Sequence, residues 1–130
     1  LTSWEPSEKV KADASVLVDT TQIDNGSIEK VDRRYFLSKQ GDKKEDIQVF
    51  LAYAPHRRCG IEFVPATANK YQWGVRQQYN DIPHFYEPCE GTIWNVDGKL
   101  VSGTGHPDEK DMIKKPFTLN ANGTLLIHPI

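Results

Sequence analysis

The side chains of this chain best equipped for chemistry gather in two short segments, Ala54-Pro55-His56-Arg57-Arg58-Cys59 and Glu87-Pro88-Cys89-Glu90-Gly91-Thr92. Between them they hold both cysteines of the chain, one of its four histidines and two glutamates. Imidazole, thiolate and carboxylate are the ordinary protein ligands for metals, the thiolates favouring soft ions and the carboxylates hard ones. Cysteines persist as a disulfide only in oxidising surroundings, and two free, buried cysteines with no mutual relation are the alternative. Nucleophilic catalysis finds no support. Ser102 and the other hydroxyls have no His and carboxylate at a recognised spacing, and no Gly-rich loop is built to cradle a phosphate. Independent enzymatic activity is therefore not expected.

The elements that must position these residues are short strands. Stretches rich in β-branched and aromatic residues fall at 15–18, 27–31, 34–37, 47–54, 92–94, 99–101, 117–119 and 124–127. Asn25-Gly26, Asp97-Gly98 and Asn122-Gly123 are predicted hairpin turns, because Asn or Asp before Gly accepts the positive φ that a tight turn needs. The same chemistry explains the Asn25-Gly26-Ser27 and Asn122-Gly123-Thr124 triplets, which also match acceptors for N-glycosylation. No window sustains a helical period, although a short helix near the N-terminus or over 107–112 is allowed, with Asp108, Glu109 and Lys110 on an exposed turn. The expected class is all-β, in small antiparallel sheets forming a sandwich or partial barrel.

With 130 residues, 38% of them hydrophobic, the chain is sized for one domain with its own core. A net charge of −2 with scattered Lys and Arg offers no footprint for nucleic acid. The longest apolar runs, at 16–18 and 124–127, fall far below the roughly 20 residues of a membrane-spanning helix, so the chain as given is expected to be soluble. It begins at Leu1 with a polar stretch over 1–13, read as an N-terminal extension that follows a missing signal or anchor segment.

The two segments together resemble the boxes of the Rieske iron-sulfur family of quinol-oxidising complexes. That family carries Cys-x-His-x-x-Cys and Cys-Pro-Cys-His-Gly-Ser on two loops that clasp a two-iron, two-sulfur cluster. The likeness extends along residues 14 to 130. Asp24-Asn25-Gly26-Ser27 resembles the family's early turn, and Gln48-Val49-Phe50-Leu51-Ala52-Tyr53 the strand that delivers box one. Trp94-Asn95-Val96-Asp97-Gly98-Lys99 follows box two, Ser102-Gly103-Thr104-Gly105-His106-Pro107 stands for the loop that covers the cluster, and Phe117-Thr118-Leu119 with Gly123-Thr124-Leu125-Leu126-Ile127 for the closing hairpin. The resemblance implies a Rieske-like all-β fold with a cluster-type subdomain over about 52–106.

It also implies a disulfide between Cys59 and Cys89, and it places Ala54, His56, Glu87 and Glu90 at the four ligand positions. Such clusters need two thiolates on one iron and two imidazoles on the other, so no conventional cluster is expected. One hypothesis has His56, Glu87 and Glu90 converging on a single ion, since an imidazole with two carboxylates suits Zn, Mn or non-haem iron. The preferred reading is an ion-paired clasp, with Arg57 and Arg58 on the first loop facing Glu87 and Glu90 on the second. Gly103, Gly105, His106 and Pro107 form the expected covering loop, and either His84 or His106 can add an imidazole to the site.

The connection between the boxes is long and aromatic, from Phe63 to Tyr86. Trp73, Arg76, Tyr71 and Tyr79 make it either a partner surface or a lid packed on its own domain. The expected function is that of a cluster-less Rieske-type domain on the extracytoplasmic side of a membrane. It would serve as a structural or interaction subunit beside a cytochrome-type partner in an electron-transfer complex. The alternatives are a mononuclear metal-binding protein and an electron-transfer subunit with atypical ligands.

Overall fold

The computed structural model describes residues 15–66 and 70–129, and the N-terminal extension expected over 1–13 lies outside them. The chain is all-β, with nine strands among the described residues: β1 (Val16–Asp19), β2 (Ser27–Val31), β3 (Tyr35–Lys39), β4 (Ile47–Leu51), β5 (Glu62–Val64), β6 (His84–Glu87), β7 (Thr92–Trp94), β8 (Phe117–Leu119) and β9 (Thr124–Ile127). They form three antiparallel sheets in the orders β1-β9-β8, β2-β3-β4 and β5-β6-β7. Among the described residues no helix is long and apolar enough to cross a membrane.

The sheet β2-β3-β4 is central because both of its faces are apolar. Successive side chains on a strand point to opposite faces, and all five residues of β3 are buried. Tyr35 and Leu37, with Val49 of β4, pack on Leu125 and Ile127 of the first sheet. On the other face Phe36 and Phe50 meet Phe85, Trp94, Ala52, Ala54 and Ile61. The Phe85 ring lies 4.9 Å from Phe36 and 5.7 Å from Phe50, tilted and edge-on, arrangements that aromatic quadrupoles favour. Lys39 is the buried cation of β3, and its ammonium donates to the Thr20 and Ile23 carbonyls, each at 2.9 Å. Those bonds compensate the water it loses.

Strands 27–31, 92–94, 117–119 and 124–127 form as predicted, and the first, third and fourth predicted strands form with shifted ends. The stretch 99–101 reduces to one bridge between Trp94 and Leu100. Asn25-Gly26 leads into β2 rather than joining two strands; the β2–β3 hairpin turns at Asp32 and Arg33, both at positive φ. The short helix allowed over 107–112 does not form, and Glu109, expected on an exposed turn, is buried. Strands β5 and β6 and a 3-10 helix, Gly74–Asp81, lie in the aromatic connection, where no regular element was expected.

Candidate functional site

Two loops project from one end of the central and third sheets. The first, 54–59, leaves β4 and folds back on itself: Ala54 N–H donates to the Cys59 carbonyl and Arg58 N–H to the Ala54 carbonyl, both at 2.8 Å. Closing so tightly puts Arg58 at φ +59°. The second loop, 87–91, joins β6 to β7. A Cys59–Cys89 disulfide links the loops, with Cα atoms 6.4 Å apart, as the resemblance implied. In the chain-entropy account, closing a loop of 30 residues stabilises the folded state by about 3.5–4 kcal/mol.

Among the described residues the carboxylates do not make the expected ion pairs with Arg57 and Arg58 of the first loop. Glu87, at the end of β6, is 1% exposed. One carboxylate oxygen accepts the Glu90 N–H at 2.7 Å and the other the Thr92 hydroxyl at 3.0 Å. Glu87 therefore staples its own turn, and its donors come from three and five residues along the chain. Glu90 contributes its backbone to that staple. Among the described residues, His56, Glu87 and Glu90 form no converging ligand group, and Arg57 and Arg58 form no ion pair with either glutamate. The clasp is covalent rather than ionic. Ala54 is also buried, with its methyl in the apolar core.

The polar fastening of the second loop comes instead from Arg76 of the 3-10 helix, whose Nε–H donates to the Gly91 carbonyl at 2.7 Å. A Cβ at Gly91, where φ is +71°, would lie 2.8 Å from that guanidinium. The covering loop passes equally close. A Cβ on Gly105 would meet the Thr92 hydroxyl, and buried Thr104 accepts the Ile93 N–H at 3.0 Å and donates to the Val101 carbonyl at 2.8 Å. Gly103 and Pro107 of this loop are exposed.

His106 comes to rest on His56. The two rings stack at 4.0 Å with an interplanar angle of 23°. Asp108 joins them, so that one ligand atom from each of His56, His106 and Asp108 lies within 4.8 Å of the other two. The Asp108 N–H donates to His106 Nδ1 at 2.9 Å, and one Asp108 carboxylate oxygen lies 3.8 Å from that nitrogen. Glu109, 6% exposed, supports the group from beneath, its Oε1 accepting the N–H groups of His56 and Lys110, each at 3.0 Å. Its Oε2 is buried without a hydrogen-bond partner among the described residues. A shallow depression of about 360 Å³ opens here, lined by Pro55, His56, Asp108 and Lys110. A larger depression, about 640 Å³ and lined by residues of β2, by Ser38 and Gln48, and by Val96 and Asp97, has no His or Cys in its lining. The smaller depression brings His56 and Asp108 to one opening, next to His106.

Glu109 carried no sequence signal, whereas the His-x-Asp spacing of His106 and Asp108 was visible. A second group of ligand atoms, from Cys59, Glu87 and Cys89, is close enough to converge. Its sulfurs are bonded to each other and its carboxylate oxygens are already hydrogen-bonded.

The aromatic connection carries, on its inner side, the lid that was one of its two expected roles. Tyr71 is buried, its hydroxyl 2.7 Å from His84 Nε2, and the other nitrogen of that ring is 2.7 Å from the Ile82 carbonyl. This pattern assigns the proton to Nδ1 and leaves Nε2 to accept from Tyr71. Burial pushes the His84 pKa below its ordinary value, against the opposing pull of the Ile82 carbonyl, and burial raises that of Tyr71. His84 is thus sealed beneath the lid and adds no imidazole to the loops. The Asn80 side chain locks the same segment, accepting from the Lys70 and Tyr71 N–H groups and donating to the Tyr71 carbonyl. Trp73, on the outer side, is 81% exposed.

Fold and tip together define a class: a disulfide-stapled, all-β protein with two loops and a covering loop, carrying an accessible imidazole-carboxylate group at their junction. No protein-family model matches the chain, and no curated protein matches it significantly.

Proposed function

We infer that the chain is a Rieske-like domain without the family's cluster, acting as a structural or interaction subunit of a membrane electron-transfer complex on the extracytoplasmic side. The observation that carries this reading is the Cys59–Cys89 disulfide between the two loops, with two of the four ligand positions implied by the resemblance, Ala54 and Glu87, buried. Ala54 is a buried methyl, and Glu87 is a buried carboxylate with both oxygens in hydrogen bonds. With both cysteines in the disulfide no thiolate remains for iron, so the donor set does not fit a two-iron, two-sulfur cluster. The disulfide, a staple that constrains the unfolded chain, then joins the loops without a cluster beside it.

The surface offered to a partner is the outer side of the connection. An exposed Trp beside Tyr71 and Arg76 has the composition of an interface hot spot. A disulfide persists in oxidising surroundings, which supports the extracytoplasmic setting.

Two measurements test the reading. Absorbance, electron paramagnetic resonance and metal analysis of protein isolated from its native source are expected to give no visible bands and no signal from reduced iron. Both features together would overturn the cluster-less reading. A photo-reactive residue in place of Trp73, activated in intact membranes, is expected to crosslink a cytochrome-type subunit. Crosslinks confined to unrelated soluble proteins would remove the complex from the proposal.

A further inference from the structure

We propose that His56, His106 and Asp108 form a site for one divalent transition ion of borderline softness, with Zn²⁺ as the type case. Two imidazoles and one carboxylate are the donor set such ions take when a fourth position stays open. The three ligand atoms lie within 4.8 Å of one another. The His106 Nδ1 to Asp108 carboxylate separation of 3.8 Å is near the ~3.4 Å spacing of donors that sit about 2.0–2.1 Å from a tetrahedral zinc. Modest contraction closes the bite, on a loop whose Asp108 side chain is exposed.

Two features of the site must change on binding. The rings lie face to face at 4.0 Å, so one of them must turn out of the stack before a nitrogen of each can reach the same ion. The lone pair at His106 Nδ1 accepts the Asp108 N–H. The ion exchanges that hydrogen bond for a coordinate bond, while Nε2 keeps its proton. The exposed Lys110 ammonium lines the same depression, and its flexible stem lets the charge turn away.

Glu109 supplies a second, independent observation. It is buried, it fixes the His56 backbone through Oε1, and its Oε2 is a buried acceptor without a partner among the described residues. Buried carboxylate oxygens are seldom left so. A water on the ion's open position is a donor that can satisfy it. The site uses neither Glu87 nor Glu90 and stands or falls apart from the cluster-less reading.

The test is calorimetric titration of Zn²⁺ into untagged, chelator-stripped protein with its disulfide intact, alongside thermal melting. The expected result is one Zn²⁺ per chain, with a rise in melting temperature. His106→Ala and Asp108→Asn should each weaken binding at least tenfold, and Glu90→Gln should leave it unchanged. Asp108 is exposed, so Asp108→Asn decides the matter should His106→Ala fail to fold. No Zn²⁺ uptake, uptake indifferent to Asp108→Asn, or loss in Glu90→Gln equal to that in Asp108→Asn overturns the site. Ca²⁺ competing on equal terms with Zn²⁺ overturns the imidazole assignment.

Discussion

His84 and the His56–His106 pair place the same side chain in opposite surroundings. His84 is fully buried, and each of its ring nitrogens has a partner, the Tyr71 hydroxyl or the Ile82 carbonyl. The pair at the loop tip is only partly covered, and its rings meet each other and an exposed Asp108. A ring whose donors and acceptors are all used inside the protein can only contribute to stability. One with lone pairs near solvent can recognise something. The two regions are joined through Arg76 and the disulfide, so the contrast is between the sealed root of one subdomain and its open tip.

The largest effect should come from the link between them. Cys59→Ala with Cys89→Ala is expected to lower unfolding free energy by about 3.5–4 kcal/mol, read from urea midpoints. A loss below about 1 kcal/mol would mean that packing alone joins the loops. Next, His84→Ala should lose on the order of 2–4 kcal/mol, because it leaves a cavity and strands the Tyr71 hydroxyl.

The sealed histidine also predicts a pH dependence. Above about pH 6.5 the ring is neutral in both folded and unfolded chains. Below it the unfolded chain takes up a proton that buried His84 refuses until its depressed pKa is reached, so stability falls as pH falls through that window. Urea midpoints at pH 7.5 and 5.5 should differ less in His84→Phe than in the parent, and an equal difference would clear His84 as the source.

At the tip the stability effects should be small. Arg58→Gly relieves a residue at φ +59° that has no ion pair among the described residues, and should be neutral or stabilising by up to about 1 kcal/mol. An ionic clasp would instead make it destabilising. Trp73→Ala, at a position 81% exposed, should shift stability by no more than about 0.5 kcal/mol. A larger loss would reassign Trp73 from partner surface to lid.

Much of the framework was legible because its signals are local. Strand β2 and the β8–β9 hairpin follow from alternation and from Asn122-Gly123, whose glycine sits at φ +90°. Strands β5 and β6 escaped notice because they are short and because β6 buries a His and a Glu where the pattern calls for apolar residues. The hairpin at Asp32-Arg33 escaped because neither residue is the glycine that positive φ favours.

By itself the sequence determined an all-β chain and the composition of its two loops, and through a resemblance it pointed to the cysteine pairing. These rest on dihedral preferences and on spacing along the chain, which neighbours set. Only the tertiary structure decided where the polar ends of the loop side chains go. A loop carboxylate can turn inward or outward, and the choice belongs to whichever donors lie within reach. For Glu87 they are Glu90 and Thr92 of its own turn, and for Glu109 the backbone of His56, 53 residues away. His56 meets His106 because Thr104 and Gly105 bring the covering loop down onto β7, a long-range contact that no local pattern encodes.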